Sequence, residues 1–126
     1  MSKIILVVDD EPFILDILKE QLQEQQYKVY TAEDALQATM LAVKYKPDLV
    51  ILDIMIPAGG GAAVYDRIKK STQISHIPVI FLSAAPIEVL TGHISVLENA
   101  IFMNKPWSKE QLLANIRQML EKTPPK

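Results

Sequence analysis

The sequence predicts a single α/β domain in which a five-stranded parallel sheet carries helices on both faces. Three observations support this fold class. The runs "IILVV" and "LVIL" are apolar throughout, which is typical of strands that are covered on both sides. Segments with apolar residues at helical spacing separate such runs, so we expect parallel strands joined by right-handed crossovers. With 126 residues and 49% hydrophobic content, the chain can bury one sizeable core.

The first strand and the first helix lie near the N-terminus. Residues 4–8 form the strand. The helix begins near Pro12, because the first turn of a helix tolerates a residue without an N–H group. Apolar residues at helical spacing then continue to about Gln25. The stretch "KVYTA" predicts the second strand.

The second helix and the third strand follow. Thr31 and Asp34 stand three residues apart, which predicts that Thr31 caps an alanine-rich helix ending near Tyr45. Four apolar residues, 49–52, then predict a third strand that leads directly into Asp53. The chain therefore twice places a carboxylate at the end of a buried strand.

The second half of the chain continues the alternation. The glycine run at residues 59–61 interrupts the chain ahead of a helix to about Lys70. The stretch "IPVIFLSA" predicts a fourth buried strand ending at Ser83. Residues 86–97 predict a weaker fourth helix, because a proline and a glycine interrupt them. A fifth strand covers about residues 100–103.

The fifth helix closes the predicted domain. Ser108 and Gln111 have the spacing of a capping box at its start. Its apolar face consists of Leu112, Leu113, Ile116 and Leu120. We expect residues 1–122 to form the domain, and residues 123–126, which include two prolines, to be a tail or the start of a linker to a further domain.

Composition argues against several classes of function. Thirteen basic and fifteen acidic residues are interspersed and give a net charge of -2, so we expect no direct binding to nucleic acid. The absence of cysteine excludes disulfides, zinc–thiolate sites and thiol nucleophiles. The sequence shows neither a run of eighteen apolar residues nor a secretory signal, which predicts a cytoplasmic location without membrane insertion.

Polar residues fall at or just after the predicted strand ends. In an open parallel sheet all strands end at the same edge, and ligands bind in the crevice there. The residues expected to share this crevice are Asp9, Asp10, Asp53, Ser83 and Lys105. Three carboxylates within about 4 to 5 Å repel by roughly 4 kcal/mol per close pair at an effective dielectric constant near 20, so the site needs a cation.

The spacing of these residues resembles the receiver domain of the two-component response-regulator family, of the chemotaxis-regulator type. Asp10 precedes Asp53 by 43 residues, Ser83 follows Asp53 by 30, and Lys105 comes 22 later within "NKPW". The matching motifs extend from "VVDDEP" through "LDIMIP" and "FLSA", with Gly61 eight residues after Asp53. The resemblance implies a flavodoxin-like fold, with five helices around a sheet of strand order 2-1-3-4-5.

The resemblance also implies a metal site for Mg²⁺ or Mn²⁺, which hard oxygen ligands favour. Asp10 and Asp53 would be direct ligands, Asp9 would bind directly or through water, and the backbone carbonyl of Met55 would complete the protein ligands. No other cofactor is implied.

Phosphorylation is the implied chemistry. Asp53 would accept a phosphoryl group from a sensor histidine kinase or a histidine phosphotransfer protein, and Lys105 and Ser83 would contact the phosphoryl oxygens. Ser83 and the aromatic Phe102 would then switch the face formed by the fourth helix, fifth strand and fifth helix, which binds a downstream protein. The chain would thus be a signalling protein that promotes its own phosphorylation, and not an enzyme.

Several positions depart from the family pattern. Phe102 lacks the hydroxyl of the commoner tyrosine, which weakens the support for a switch. The run Gly59–Gly61 adds backbone freedom after Asp53, and we expect an altered loop there. Asn99 replaces a frequent glycine, and asparagine is expected to keep the left-handed turn.

Other residues have simpler interpretations. The three aspartates could cap strand ends, Lys105 alone could be a solvated lysine, and Phe102 alone could be a core residue. His76 and His93 are expected to be surface or structural residues that lie outside the crevice. Lys69 and Lys70 would be a solvated helix end. Met40, Val43 and Met119 are expected in the core.

Three other functions remain open. A phosphatase of the haloacid dehalogenase type also forms an aspartyl-phosphate, but it would be expected to carry an acid two residues after its nucleophile, where Met55 stands. A flavin-binding protein is possible for a flavodoxin-like fold. A receiver-like scaffold that works without phosphate is the remaining alternative.

Overall fold

The computed structural model describes residues 2–84 and 99–122 of the chain. These residues form five strands and four helices, which alternate as far as the fourth strand. The elements are β1 (Ile4–Val8), α1 (Pro12–Gln23), β2 (Lys28–Ala32), α2 (Ala35–Tyr45), β3 (Leu49–Asp53), α3 (Gly60–Lys70), β4 (Val79–Ser83), β5 (Ala100–Asn104) and α4 (Lys109–Lys122). The predicted helix over residues 86–97 lies outside the described residues, so α4 corresponds to the fifth helix of the sequence prediction.

The five strands form one parallel sheet in the order β2-β1-β3-β4-β5, which confirms the predicted fold class. The register keeps the strand ends level: Val8 pairs with Leu52, and Ser83 pairs with Asn104. β1 and β3 are neighbours at the centre of the sheet. The chain segments that leave β1, β3, β4 and β5 therefore begin at one edge.

Two apolar layers cover the sheet, one on each face. On one face, small and branched side chains from α2 and α3 pack on Leu6, Val50 and Phe81. On the other face, α1 and α4 pack on Ile5, Ile51 and Leu82 with their residues Leu15, Leu18, Leu22, Leu112, Leu113 and Ile116. Leu120 joins this second layer as a partly buried side chain, as predicted for the last helix. Both faces of the central strands are buried, as their apolar runs predict.

The start of α2 differs from the prediction. Thr31 lies within β2, and the cap is Asp34, whose Oδ1 accepts a hydrogen bond of 2.7 Å from the Gln37 amide. The capping box of α4 is confirmed in one half: the Ser108 hydroxyl accepts from the Gln111 amide at 3.2 Å. The Gln111 side chain donates to Asn115 instead of turning back to the cap.

The prediction that Met40 and Val43 belong to the core is wrong, whereas Met119 is buried as expected. α2 turns the small residues Ala35, Ala38 and Ala42 towards the sheet. Because alanine lets a helix approach the sheet closely, the larger side chains of Leu36, Met40 and Val43 are left exposed on the other side of α2.

The turn that leads into α3 has left-handed backbone geometry at Ala58, Gly59 and Gly60, with φ of 67°, 111° and 81°. Glycine adopts such angles at no steric cost, so the glycine run shapes this turn. Asn99 also has a positive φ of 56°, which confirms the expected left-handed turn. Its side chain donates to the backbone oxygen of His76.

The expectation that Lys69 is a solvated residue at the end of a helix is wrong. Its ammonium group donates to the carbonyl oxygens of Ser75 and Ile77 at 3.0 and 3.2 Å. Lys70 is exposed and pairs with Asp66, one turn earlier in α3. His76 lies in the connection between α3 and β4, outside the acidic cluster described below, and His93 lies outside the described residues.

Candidate functional site

Three aspartates meet where the two central strands end. Asp9 and Asp10 directly follow β1, and Asp53 is the last residue of β3. One carboxylate oxygen from each lies within 4.8 Å of those of the other two. Asp9 is only 1% exposed and Asp53 is also buried, whereas Asp10 is exposed. The strand register thus brings these three predicted residues together.

Lys105 reaches this cluster from the loop after β5. Its ammonium nitrogen lies 2.5 Å from Asp9 Oδ2 and 3.1 Å from Asp53 Oδ2, and the lysine side chain is only 11% exposed. Its backbone amide donates to the carbonyl oxygen of Ser83 at 2.9 Å, which fixes this loop to the end of β4. The peptide bond from Lys105 to Pro106 is cis. One cation is therefore shared between two buried carboxylates.

Backbone amides hold the other oxygen of each buried carboxylate. The Glu11 amide donates to Asp9 Oδ1 at 3.0 Å, and the Met55 amide donates to Asp53 Oδ1 at 3.1 Å. Each carboxylate is thus fixed between an N–H group and the ammonium of Lys105. This arrangement leaves little rotational freedom to the two side chains.

Burial and charge shift the ionisation of the site in opposing ways. Burial raises the pKa of Asp53, although the Met55 amide and the Lys105 ammonium oppose the change. Burial alone would lower the pKa of Lys105, but its hydrogen bonds to Asp9 and Asp53 outweigh burial, and the pKa lies above its ordinary value. Lys105 is therefore charged at neutral pH.

A cleft of about 510 Å³ opens beside the cluster. Its lining residues are Asp10, Glu11, Asp53, Met55, Ser83, Ala84 and Lys105. Ser83 is a buried residue at the end of β4, beside the exposed Ala84. The Met55 side chain is exposed, and the proposed role of its carbonyl oxygen stays a prediction.

The donor atoms of this cluster fit a divalent cation with a preference for oxygen. Three carboxylates and one ammonium carry a net charge of -2 when all are ionised, which a divalent ion balances. Carboxylate oxygens without sulfur or imidazole suit Mg²⁺ and Mn²⁺. Asp9, Asp10 and Asp53 are the residues that could hold such an ion.

Sequence reasoning missed Glu11, which lines the cleft and places Oε1 4.0 Å from the Lys105 ammonium. Its position directly after the two acids of "VVDDEP" was the available signal. Because Glu11 is exposed, this outer contact is expected to be weak.

The structure gives a steric reason for glycine at position 61, which the sequence motif alone does not show. A Cβ atom at this position would stand 2.5 Å from the carbonyl oxygen of Asp53 and 2.8 Å from Cα of Ile54. The Gly61 amide also donates to the carbonyl oxygen of Ile54 at 2.7 Å. The first turn of α3 therefore passes directly over the end of β3, and a side chain there would displace the backbone of Asp53.

Phe102 lies on β5, three residues before Lys105, and is partly buried. Its ring stacks on Phe81, with centroids 5.0 Å apart, and Phe81 in turn contacts the ring of Tyr65. These contacts join Phe102 to the apolar layer beneath α3. Its role as a switch stays a prediction.

The parallel sheet, the acidic cluster and the shared lysine define the class of this protein as a signalling receiver. The chain belongs to the response regulator receiver domain family, whose model matches residues 5–117. It is therefore a receiver domain of the kind used by response regulators in two-component signal transduction.

Individual relatives agree with this assignment. The chain is 33% identical over 121 residues to the DNA-binding dual master transcriptional regulator RpaA of Synechocystis, covering 94% of this chain but 49% of that protein. It thus spans about half the length of that relative. It is 32% identical to NtrX from Brucella abortus, with a TM-score of 0.84 over 98% of this chain and 28% of that one.

A chemotaxis protein shows the same fold at lower identity. CheY4 of Vibrio cholerae matches with a TM-score of 0.86 at 24% identity, covering 94% of this chain and 99% of that one. In the part of the chain that the structure describes, no helix is both long and apolar enough to cross a membrane.

Proposed function

We propose that Asp53 accepts a phosphoryl group from the phosphohistidine of a sensor histidine kinase or a histidine phosphotransfer protein. Mg²⁺, or Mn²⁺ in its place, would be held by Asp9, Asp10, Asp53 and the carbonyl oxygen of Met55. The observation that carries this proposal is the meeting of three carboxylates and the Lys105 ammonium at one cleft. Such a cluster is typical of sites that handle phosphoryl groups with a divalent cation.

The geometry favours Asp53 as the acceptor among the three acids. Asp53 lines the cleft and Asp9 does not, although a backbone amide and Lys105 hold the two carboxylate oxygens of each. Asp9 is more deeply buried, at 1% exposure, beneath the shared lysine. Asp10 is exposed at the rim of the cleft, where it could bind a metal ion that enters from solvent.

The transfer is a displacement at phosphorus. A carboxylate oxygen of Asp53 forms the new P–O bond while the P–N bond to the donor imidazole breaks, and the electron pair of that bond stays on the imidazole nitrogen. The Lys105 ammonium pairs with one phosphoryl oxygen, and the Ser83 hydroxyl donates to another. When bound, a divalent cation supplies charge neutralisation for the transferred oxygens.

The new phosphoryl group adds a charge of about -1.5 to -2 and further acceptor oxygens. This change favours the arrangement in which Ser83 and Lys105 turn towards Asp53. Phe102 would follow, because it pairs with Phe81, two residues before Ser83 on the neighbouring strand β4. The altered surface, formed by the predicted helix over residues 86–97, β5 and α4, would bind a downstream protein in the cytoplasm.

The unit that carries out this reaction would be residues 1–122, acting as a signalling module and not as an enzyme with a separate substrate. We infer that this unit makes no direct contact with nucleic acid, since the net charge of the whole chain is -2 and no excess of basic residues is present. Binding to DNA, which the name of the Synechocystis relative states for that protein, would then need residues beyond those of the receiver.

Intact mass spectrometry tests the acceptor. The chain is incubated with a small-molecule phosphodonor and Mg²⁺, beside the variants Asp53→Asn and Asp66→Asn, the second of which changes an exposed acid on α3. We expect one phosphoryl adduct in the parent and in Asp66→Asn, and none in Asp53→Asn or in the presence of a chelator. An adduct on Asp53→Asn would exclude Asp53, and no adduct on the parent would favour the phosphate-independent scaffold.

A further inference from the structure

The outer face of α2 carries a stripe of large apolar side chains. Leu36, Met40 and Val43 are each more than half exposed. Their spacing of four and three residues places them on one side of the helix, opposite the buried alanines of α2. Single exposed apolar residues are ordinary, but three that adjoin along one helix are typical of an interaction surface.

The stripe is close to symmetric about Met40. Leu36 lies four residues before Met40 and Val43 three residues after it, which are about 6 Å and 4.5 Å along the helix axis. If a second copy of α2 packs antiparallel about a two-fold axis at Met40, the Leu36 of each copy faces the Val43 of the other. The same patch can therefore serve both partners, as a two-fold interface requires.

The charges at the two ends of α2 favour the same arrangement. Glu33 and Asp34 stand at its N-terminal end, and Lys44 and Lys46 stand at its C-terminal end. Antiparallel pairing brings the acidic end of each helix next to the basic end of the other, so the favourable contact forms at both ends of the pair. It also sets the two helix dipoles in opposite directions. Parallel pairing would instead bring like charges together at both ends.

We propose that α2 is a self-association surface, in which a second copy of this chain packs antiparallel on the stripe formed by Leu36, Met40 and Val43. One three-turn helix offers less than the roughly 800 Å² per partner that stable complexes bury, so the dimer is weak and depends on concentration. The stripe residues do not line the cleft beside Asp53. We therefore expect the unphosphorylated chain to associate.

Sedimentation velocity of the unphosphorylated chain, from roughly 10 µM to 1 mM, tests the surface. We expect the average mass to rise towards that of a dimer, and Met40→Glu or Leu36→Glu to weaken association at least about tenfold. Phe13→Glu is the matched control, because Phe13 is also a large exposed apolar residue but lies on α1. A parent that stays monomeric throughout, or equal effects of the α2 and α1 variants, would overturn the proposal.

Charge reversal tests the antiparallel orientation. Glu33→Lys and Lys46→Glu should each weaken association, because each places like charges opposite one another at both ends of the pair. The double variant restores the opposite charges and should associate as the parent does. If the double variant is as weak as either single variant, the antiparallel arrangement is wrong.

Discussion

Lys105→Met removes the charge that two buried carboxylates share. The ammonium nitrogen lies 2.5 Å from Asp9 and 3.1 Å from Asp53, and the side chain is 11% exposed. Methionine keeps an unbranched apolar side chain of similar length, so the main loss is electrostatic. In a chelating buffer at pH 7, we expect the variant to be less stable than the parent by about 3 kcal/mol.

The magnitude follows from these distances. At an effective dielectric constant of 20, unit charges 3.1 Å apart attract by about 5 kcal/mol and unit charges 2.5 Å apart by about 7 kcal/mol, and the variant loses both attractions. The variant no longer buries an ammonium group, which recovers several kcal/mol. With this recovery, the expected loss is taken from the lower end of the roughly 3 to 5 kcal/mol measured when one partner of a buried pair is removed.

The pH range of the effect follows from the raised pKa of Lys105. A lysine whose pKa is higher in the folded than in the unfolded state contributes its full stabilisation below the unfolded pKa of about 10.4. That stabilisation is lost only as the pH rises through the folded pKa. The difference between parent and variant that is due to the lysine should therefore be present at pH 7 and should fall only in strongly alkaline buffer.

Urea denaturation followed by Trp107 fluorescence measures the change. Trp107 is partly buried and donates to Gln21 on α1, so its emission reports on a tertiary contact. The matched control is Lys109→Met, because Lys109 also lies 3.1 Å from a carboxylate, that of Glu24, but is 40% exposed. We expect the control to cost less than about 1 kcal/mol. Equal losses in the two variants would refute the reasoning.

Three further variants test other parts of the structure. Gly61→Ala should cost about 1 to 3 kcal/mol in urea denaturation, because its Cβ would overlap the carbonyl oxygen of Asp53; unchanged stability would mean that α3 shifts freely. Asp34→Ala should lower the free energy of unfolding by about 1 kcal/mol, because α2 loses its N-terminal cap. The control Asp66→Ala removes a residue of an exposed ion pair and should cost less than about 0.5 kcal/mol; thermal unfolding of the two variants compares these losses. In chelator, the stability of Asp53→Asn relative to the parent should rise from about pH 4 to pH 7. The reason is that the raised pKa of Asp53 stabilises the folded parent only at low pH; a constant difference would contradict it.

The fold could be predicted largely because the central strands are buried on both faces. Continuous apolar runs at β1, β3 and β4 leave few alternatives to a covered parallel sheet. The start of α2 was harder to predict, since threonine and aspartate both cap helices and both Thr31 and Asp34 precede α2. Only the pairing of β2 with β1, which continues to Ala32, excludes Thr31 as the cap.

The error at Met40 and Val43 has a physical cause. Apolar periodicity in α2 describes two faces, because three alanines and three larger residues repeat at similar spacing. The sequence does not show which set turns towards the sheet. Packing decides this, since the alanines fit the close approach between α2 and the strands beneath it.

The sequence sufficed to predict which residues form the site, but not the distances and contacts between them. The rule that parallel strands end at one edge suffices to group Asp9, Asp53 and Lys105. It does not show that the lysine lies nearer to Asp9 than to Asp53, or that Glu11 completes the rim. These facts depend on side-chain conformations, which one sequence does not determine.

The position of Lys105 links the proposed chemistry to the proposed switch. Its ammonium group is closer to Asp9 than to Asp53, so a phosphoryl group on Asp53 would have to draw it away from a buried carboxylate. That movement leaves Asp9 in need of another positive charge, which a divalent cation between the aspartates can supply. The Lys105 amide bonds to the Ser83 carbonyl, so any backbone shift that accompanied this movement would reach the end of β4. In the proposed function, metal binding, transfer and the shift of Ser83 would therefore be coupled through one side chain, and a variant at Lys105 should disturb all three.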